Sequence, residues 1–189
     1  MSLRLPKEYC ITGYFPKDKY AFIQKLNSII QSQRYTMIQV RSKHFNKLEY
    51  QYIIQSIIDL ANEHDIRIIL NSDMINNDIY NAHGIHHTAT GLKLYTKEKY
   101  GNIILGSSCH KRQDIIKSNN YSLDYITLSP ILKTRSHKNA HPLGWSESKK
   151  LIELSNYKVY ALGGVNSQHL KNVEKINGYG VAGIESFWG

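Results

Sequence analysis

Cysteine is nearly absent from this chain of 189 residues, which holds only Cys10 and Cys109. Two thiols without CxxC spacing form neither a disulfide framework nor a zinc set, and read as free thiols in a reducing compartment. Proline is scarce, with 4 residues, and no stretch rich in Pro, Gly and Ser divides the sequence. The expectation is one domain over residues 1–189. No apolar run approaches the roughly 18 residues of a membrane span, which excludes a helical membrane protein. The opening MSLRLPKEYCITG holds no apolar segment of signal-peptide length, so the expected location is cytoplasmic. Acidic residues are few, 15 against 24 Lys and Arg, for a net charge of +9. A basic surface attracts nucleic acid, anionic membranes or phosphorylated small molecules. The lysines are scattered, however, and no run of five or six like charges occurs. With no nucleic-acid motif beside them, neither nucleic acid nor membrane is an expected partner.

What is present is an alternation of short β-branched runs with longer helical periods. Strand-like runs cover residues 9–12, 35–40, 66–70, 84–86, 102–105, 124–128, 158–162 and 180–184. Helical spacing covers 18–31, 48–63, 110–118 and 146–154, with a short helix over 74–82 and one capped by Asn166 reaching residue 176. The run 87–101 is the thinnest. Strands without clean polar alternation suit a parallel sheet buried on both faces. Eight such units predict a compact α/β fold, a (β/α)8 TIM barrel, with an open doubly wound sheet as the alternative.

A barrel carries its site at the C-terminal ends of its strands. Those positions here are polar. Gln39, Arg41 and Lys43 alternate and so share one side of an extended segment, where Arg41 and Lys43 suit an anion. Asn71 and Asp73 follow the third strand, and Asp73 is the first acid among the strand ends. His86 and His87 point to opposite faces, so they are a poor metal pair and at least one packs. Ser108 and His110 follow the fifth strand. An imidazole near a helix N-terminus is favoured in its neutral form, which suits acid–base work. Cys109 between them reads as an apolar filler. Gly163-Gly164 after the seventh strand, with Gly183 on the eighth, lets backbone N–H groups approach a phosphate.

In order and spacing these motifs resemble the thiamine phosphate synthase/TenI family, from Tyr9 to Ser186. Gln39-Val40-Arg41-Ser42-Lys43 resembles its Q-x-R-x-K, Asn71 the opening of its N-D pair, and Gly84-Ile85-His86 its G-[IV]-H. Gly106-Ser107-Ser108-Cys109-His110 resembles G-x-S-x-H, and Ala161-Leu162-Gly163-Gly164-Val165 resembles A-[IL]-G-G-[IV]. Thr134-x-Ser136-His137 followed by Pro142-Leu143-Gly144-Trp145 is especially similar to the synthase-like domain fused to some Nudix hydrolases.

The resemblance implies a thiamine-biosynthesis barrel whose partners are a phosphorylated thiazole and a pyrimidine diphosphate; a homo-oligomer is left open. It implies that Gln39, Arg41, Lys43 and Asn71 hold the diphosphate and that Ser108 contacts pyrophosphate. It places the thiazole phosphate on Thr134, Ser136, His137, Gly163, Gly164 and Gly183. It also implies Mg2+, but Ser72 stands where the synthases carry a metal-binding Asp, and residues 87–92 lack their second acid. Asp73, displaced by one position, is the one remaining metal candidate, and a site built on it is weak. The branch expected on these grounds is the TenI-like thiazole tautomerase, with His110 as its acid/base, ahead of a divergent synthase transferase. The alternative is a non-catalytic binder of thiazole or thiamine phosphates.

Overall fold

The structure, a computed structural model, describes residues 4–13, 15, 18–42, 44–76, 78–92, 97–134 and 141–189. Eight parallel strands close into a barrel in sequence order: β1 (Glu8–Ile11), β2 (Met37–Val40), β3 (Arg67–Asn71), β4 (Gly84–His87), β5 (Ile104–Cys109), β6 (Tyr125–Leu128), β7 (Lys158–Ala161) and β8 (Gly180–Gly183). The open-sheet alternative is excluded by β1, which pairs with both β2 and β8. Around the strands lie α1 (Lys19–Gln31), α2 (Lys47–Glu63), α3 (Lys97–Tyr100), α4 (Arg112–Ser118), α5 (Gly144–Ile152), α6 (Leu170–Lys175) and α7 (Glu185–Trp188). Among the described residues, no helix is long and apolar enough to cross a membrane.

Local chemistry sets the helix starts. Asp18 accepts hydrogen bonds from the Tyr20 and Ala21 amides at the head of α1. Asn46 and Glu49 form a reciprocal capping box on α2, satisfying two amides that have no partner within the helix. Alternate strand residues then build two cores. One fills the space between barrel and helices, with Ile38, Val40, Leu70, Ile85 and Leu128 meeting Phe22, Leu26, Ile53 and Ile57. The other lies inside the barrel and holds Tyr9, Ile11, Met37, Ile69, Ile104, Tyr125, Tyr160 and Ala182. The three interior tyrosines pack with ring centroids 5.4–5.5 Å apart.

Three expectations need correction. The described residues of 74–82 do not form an α-helix. A 3-10 turn spans Ser72–Met74, and Tyr80 and Asn81 take positive φ values of 48° and 60°. The Asp78 side chain accepts from the Tyr80 amide, a local bond that competes with helix formation. The helix after Asn166 is also broken, into a 3-10 turn (Ser167–His169) and α6. Strand β5 runs on through Cys109, so Ser108 lies on the strand itself.

Candidate active site

The strand ends surround a two-lobed cleft. One lobe, of about 330 Å³, lies over β2–β5 and is lined by Gln39, Arg41, Asn71, Asp73, Ser108 and His110, together with His86. The other, of about 440 Å³, lies over β6–β8 and is lined by Lys133, Thr134, Gly163, Gly164, Gly183 and Ser186. Ser129, Leu162 and Ile184 belong to both walls, so the lobes meet along them. The structure thus divides the candidate residues into two groups. Lys43, Ser136 and His137 lie outside the described residues.

In the first lobe, Thr12 pins the end of β2. Its Oγ1 accepts from the Arg41 amide at 2.8 Å and donates to the Arg41 carbonyl at 2.7 Å. The Arg41 guanidinium is half-buried, and burial lowers its pKa. Among the described residues no carboxylate forms an ion pair with it. A partly desolvated guanidinium of this kind suits an anionic ligand. Strand register places Asn71 beside His86, and His86 beside Gly106. A Cβ on Gly106 would lie 2.1 Å from Tyr125 Cζ, so the glycine makes room for that ring. The Tyr125 hydroxyl then reaches His86 Nδ1 at 3.0 Å, while His86 Nε2 meets Ser108 Oγ at 2.9 Å. Burial, with the nearby His87, Arg41 and His110, pushes the His86 pKa down to about 3. His86 is therefore a pocket residue that sequence reasoning missed. Its signal was the two-residue offset from Gly84 on a strand already placed. His87, on the opposite face, is fully buried, in line with packing.

His110 lines the β2–β5 lobe and reaches Ser129, which belongs to both walls. The residue is exposed, and Nδ1 lies 3.0 Å from the Ser129 carbonyl oxygen and 3.2 Å from Ser129 Oγ. A carbonyl only accepts, so in the neutral ring Nδ1 carries the hydrogen and Nε2 presents a lone pair. The backbone amide of His110 is held by Asp114 Oδ2 at 2.8 Å. Cys109 is wholly buried, with Sγ 3.3 Å from Ser118 Oγ, and burial raises its thiol pKa to about 11. That environment suits packing and not nucleophilic attack.

In the second lobe, Gly163 and Gly164 have φ of +87° and +72°. A Cβ on Gly164 would sit 2.5 Å from the Lys133 carbonyl oxygen. The glycine thus lets the loop after β6 pack directly on the loop after β7, where the Leu132 amide donates to the Gly163 carbonyl at 2.9 Å. Asn166 Oδ1 accepts from the Gln168 amide, which occupies one donor of the following turn. Glu185 adds a carboxylate to the same wall.

A resident Mg2+ does not fit the described donors. Asp73 supplies the one carboxylate on the first lobe; it is exposed, and its Oδ1 lies 3.5 Å from Ser72 Oγ. Among the described residues no three His, Cys, Asp or Glu side chains are grouped to hold an ion.

Known proteins resemble this chain. A family model described as thiamine monophosphate synthase matches residues 8–187. The putative thiamine-phosphate synthase 2 of Aquifex aeolicus is 30% identical over 188 residues, covering 98% of this chain and 99% of that protein. The thiamine-phosphate synthase of Clostridium tetani is 26% identical, covering 82% of this chain and 75% of its own length. Among solved structures, the thiamine phosphate pyrophosphorylase of Pyrococcus furiosus superposes with a TM-score of 0.73 at 21% identity, over 96% of this chain and 90% of that one, a likeness of fold. The match over nearly the whole chain and the full-length relative together show that this protein belongs to the thiamine monophosphate synthase/TenI family.

Proposed function

We propose that this protein is a thiamine-pathway enzyme that binds a thiazole phosphate in the β6–β8 lobe and moves a proton on it with His110, as a TenI-like tautomerase. The observation that carries the reading is the fixed orientation of His110 against Ser129, a residue of both walls. With Nδ1 committed to the Ser129 carbonyl, Nε2 can take a proton from the non-aromatic thiazole tautomer and return one at another atom, with no net change in protons. Lys133, Thr134 and the strand-end glycines line the space for the phosphate. The Glu185 carboxylate on the same wall bounds where that phosphate can sit.

A second reading is favoured by the other lobe. Arg41, Gln39, Asn71 and Ser108 line the β2–β5 lobe, which shares walls with the β6–β8 lobe, and two adjoining cavities suit a reaction that joins two substrates. In that reading the chain is a thiamine phosphate synthase, the activity for which its relatives are named. The work would be mainly positional, with the Arg41 guanidinium beside the departing pyrophosphate.

Two assays on the purified protein separate the readings. Acceleration of thiazole tautomer aromatisation, followed by ultraviolet absorbance, supports the tautomerase. Thiamine phosphate formed from both substrates with Mg2+, detected as fluorescent thiochrome, would move the assignment to the synthase. Ligand binding without either product would leave a non-catalytic binder and sink the enzymatic proposal.

A further inference from the structure

Six side chains form a continuous hydrogen-bonded chain across the barrel interior beneath the β2–β5 lobe. Gln39 Nε2 lies 3.0 Å from Asn71 Oδ1, and the Tyr9 hydroxyl 3.2 Å from Gln39 Oε1. The Tyr9 and Tyr125 hydroxyls are 2.8 Å apart. Tyr125 then meets His86 Nδ1 at 3.0 Å, and His86 Nε2 meets Ser108 Oγ at 2.9 Å. Asn71 and Ser108, at the two ends, line the cavity. Tyr9 and Tyr125, in the middle, are wholly buried.

Counting hydrogens gives the chain a direction. An amide oxygen only accepts, so Tyr9 commits its single hydroxyl hydrogen to Gln39. The Tyr9 oxygen is then the acceptor for Tyr125, which commits its own hydrogen there. The Tyr125 oxygen can only accept from His86, so Nδ1 must carry the ring hydrogen. Burial holds His86 neutral, with its pKa at about 3, so the ring has one hydrogen to give. Nε2 is therefore bare and takes the hydrogen of Ser108. Burial likewise raises the pKa of both phenols, which keeps each a one-hydrogen donor.

We propose that Tyr9 and Tyr125 are positioning residues that lock His86 as the Nδ1–H tautomer, and thereby turn the lone pairs of Ser108 and the amide hydrogens of Asn71 toward the cavity. The lock acts against the ring's own preference, because free histidine favours Nε2–H. Only one other arrangement keeps every link. It is complete reversal, with both amides turned, His86 donating from Nε2, and Ser108 donating into the cavity. Any partial reversal sets two donors or two acceptors face to face. The cavity floor therefore has two states with opposite hydrogen-bonding faces, and an oxyanion that accepts from Ser108 is compatible only with the reversed one.

The test is the pair of ring 15N shifts of His86 in the labelled full-length protein between pH 6 and 8, assigned by their loss in His86→Gln. The free wild type should show a protonated Nδ1 and a bare Nε2. Tyr9→Phe removes neither hydrogen-bond partner of His86, yet it frees the Tyr125 hydrogen for Nδ1, so the ring hydrogen should move to Nε2. Tyr125→Phe removes the acceptor for Nδ1 and should shift the population the same way; it carries the test alone should Tyr9→Phe not fold. A wild type already in the Nε2–H form, or a folded variant that keeps Nδ1–H, would overturn the proposal. A purely packing role for either phenol would leave the tautomer unmoved.

Discussion

His110 Nδ1 lies 3.0 Å from the carbonyl oxygen of Ser129, linking the residue after β5 to the residue after β6. The same two strand ends are joined by the backbone, where the Ser129 amide donates to the Cys109 carbonyl at 3.1 Å. The imidazole is thus held from two directions, with one nitrogen left for chemistry. Replacing His110 by Ala should lower thiazole aromatisation roughly 10²- to 10⁴-fold, the usual range for a lost general acid/base. Binding of the thiazole phosphate, measured by calorimetry, should change little. Full turnover in His110→Ala would remove the residue from the mechanism.

Arg41 offers a half-buried guanidinium to the first lobe with its backbone pinned by Thr12. Charge-assisted bonds of this kind contribute about 1.5–3 kcal/mol. Arg41→Ala should therefore weaken inorganic pyrophosphate binding by roughly 10- to 150-fold. Arg41→Lys keeps the charge but loses the fork, and should fall between the two. Calorimetric titration is the readout, and equal affinity in all three proteins would show that the anion sits elsewhere.

Gly106 is a stability position. The ring of Tyr125 occupies the space that a side chain would need, 2.1 Å from an added Cβ. Gly106→Ala should force the ring aside and cost about 1–3 kcal/mol, as overpacking does. For a chain of 189 residues that lowers Tm by roughly 2–12 °C. Thermal unfolding followed by circular dichroism would check it, and an unchanged Tm would mean that the barrel interior yields more easily than its packing indicates.

Burial holds the His86 pKa at about 3, far below its unfolded value of 6.5. The unfolded chain therefore binds an extra proton between those two values, so stability rises with pH across that window. The contribution is complete above pH 6.5 and is lost progressively as pH falls toward 3. At pH 5 the loss from this one residue is on the order of 2 kcal/mol. His83, also depressed by burial, acts in the same direction. Urea midpoints at pH 7 and pH 5 should differ less in folded His86→Gln than in the wild type; an equal difference would place the effect on other groups.

Much of the architecture was legible in the sequence because parallel barrel strands leave a local mark. Runs such as residues 66–70 and 124–128 lack clean polar alternation, and β3 and β6 lie within a residue or so of them. The helical stripe of 48–63 likewise became α2, since its apolar spacing matches one turn after another. The 74–82 segment misled because Ile75 and Ile79 have plausible helical spacing. Ile75 does reach the core, but Asp78 and the left-handed Tyr80 and Asn81 turn the chain before a helix can form.

Within the site, strand-end position together with the family resemblance marked Gln39, Arg41, Asn71, Ser108 and His110, because a barrel brings every strand's C-terminal end to one rim. What those residues do to one another was decided only by closure. The hydroxyls of Tyr9 and Tyr125 are 116 positions apart in sequence, and no local pattern says they touch. Only the register around the ring, and the missing side chain at Gly106, bring them together beneath the cavity. The sequence determined which groups face the rim, through strand periodicity. The tertiary structure decided their partners, and with them which atoms carry hydrogen, because those contacts depend on the shear and closure of all eight strands at once.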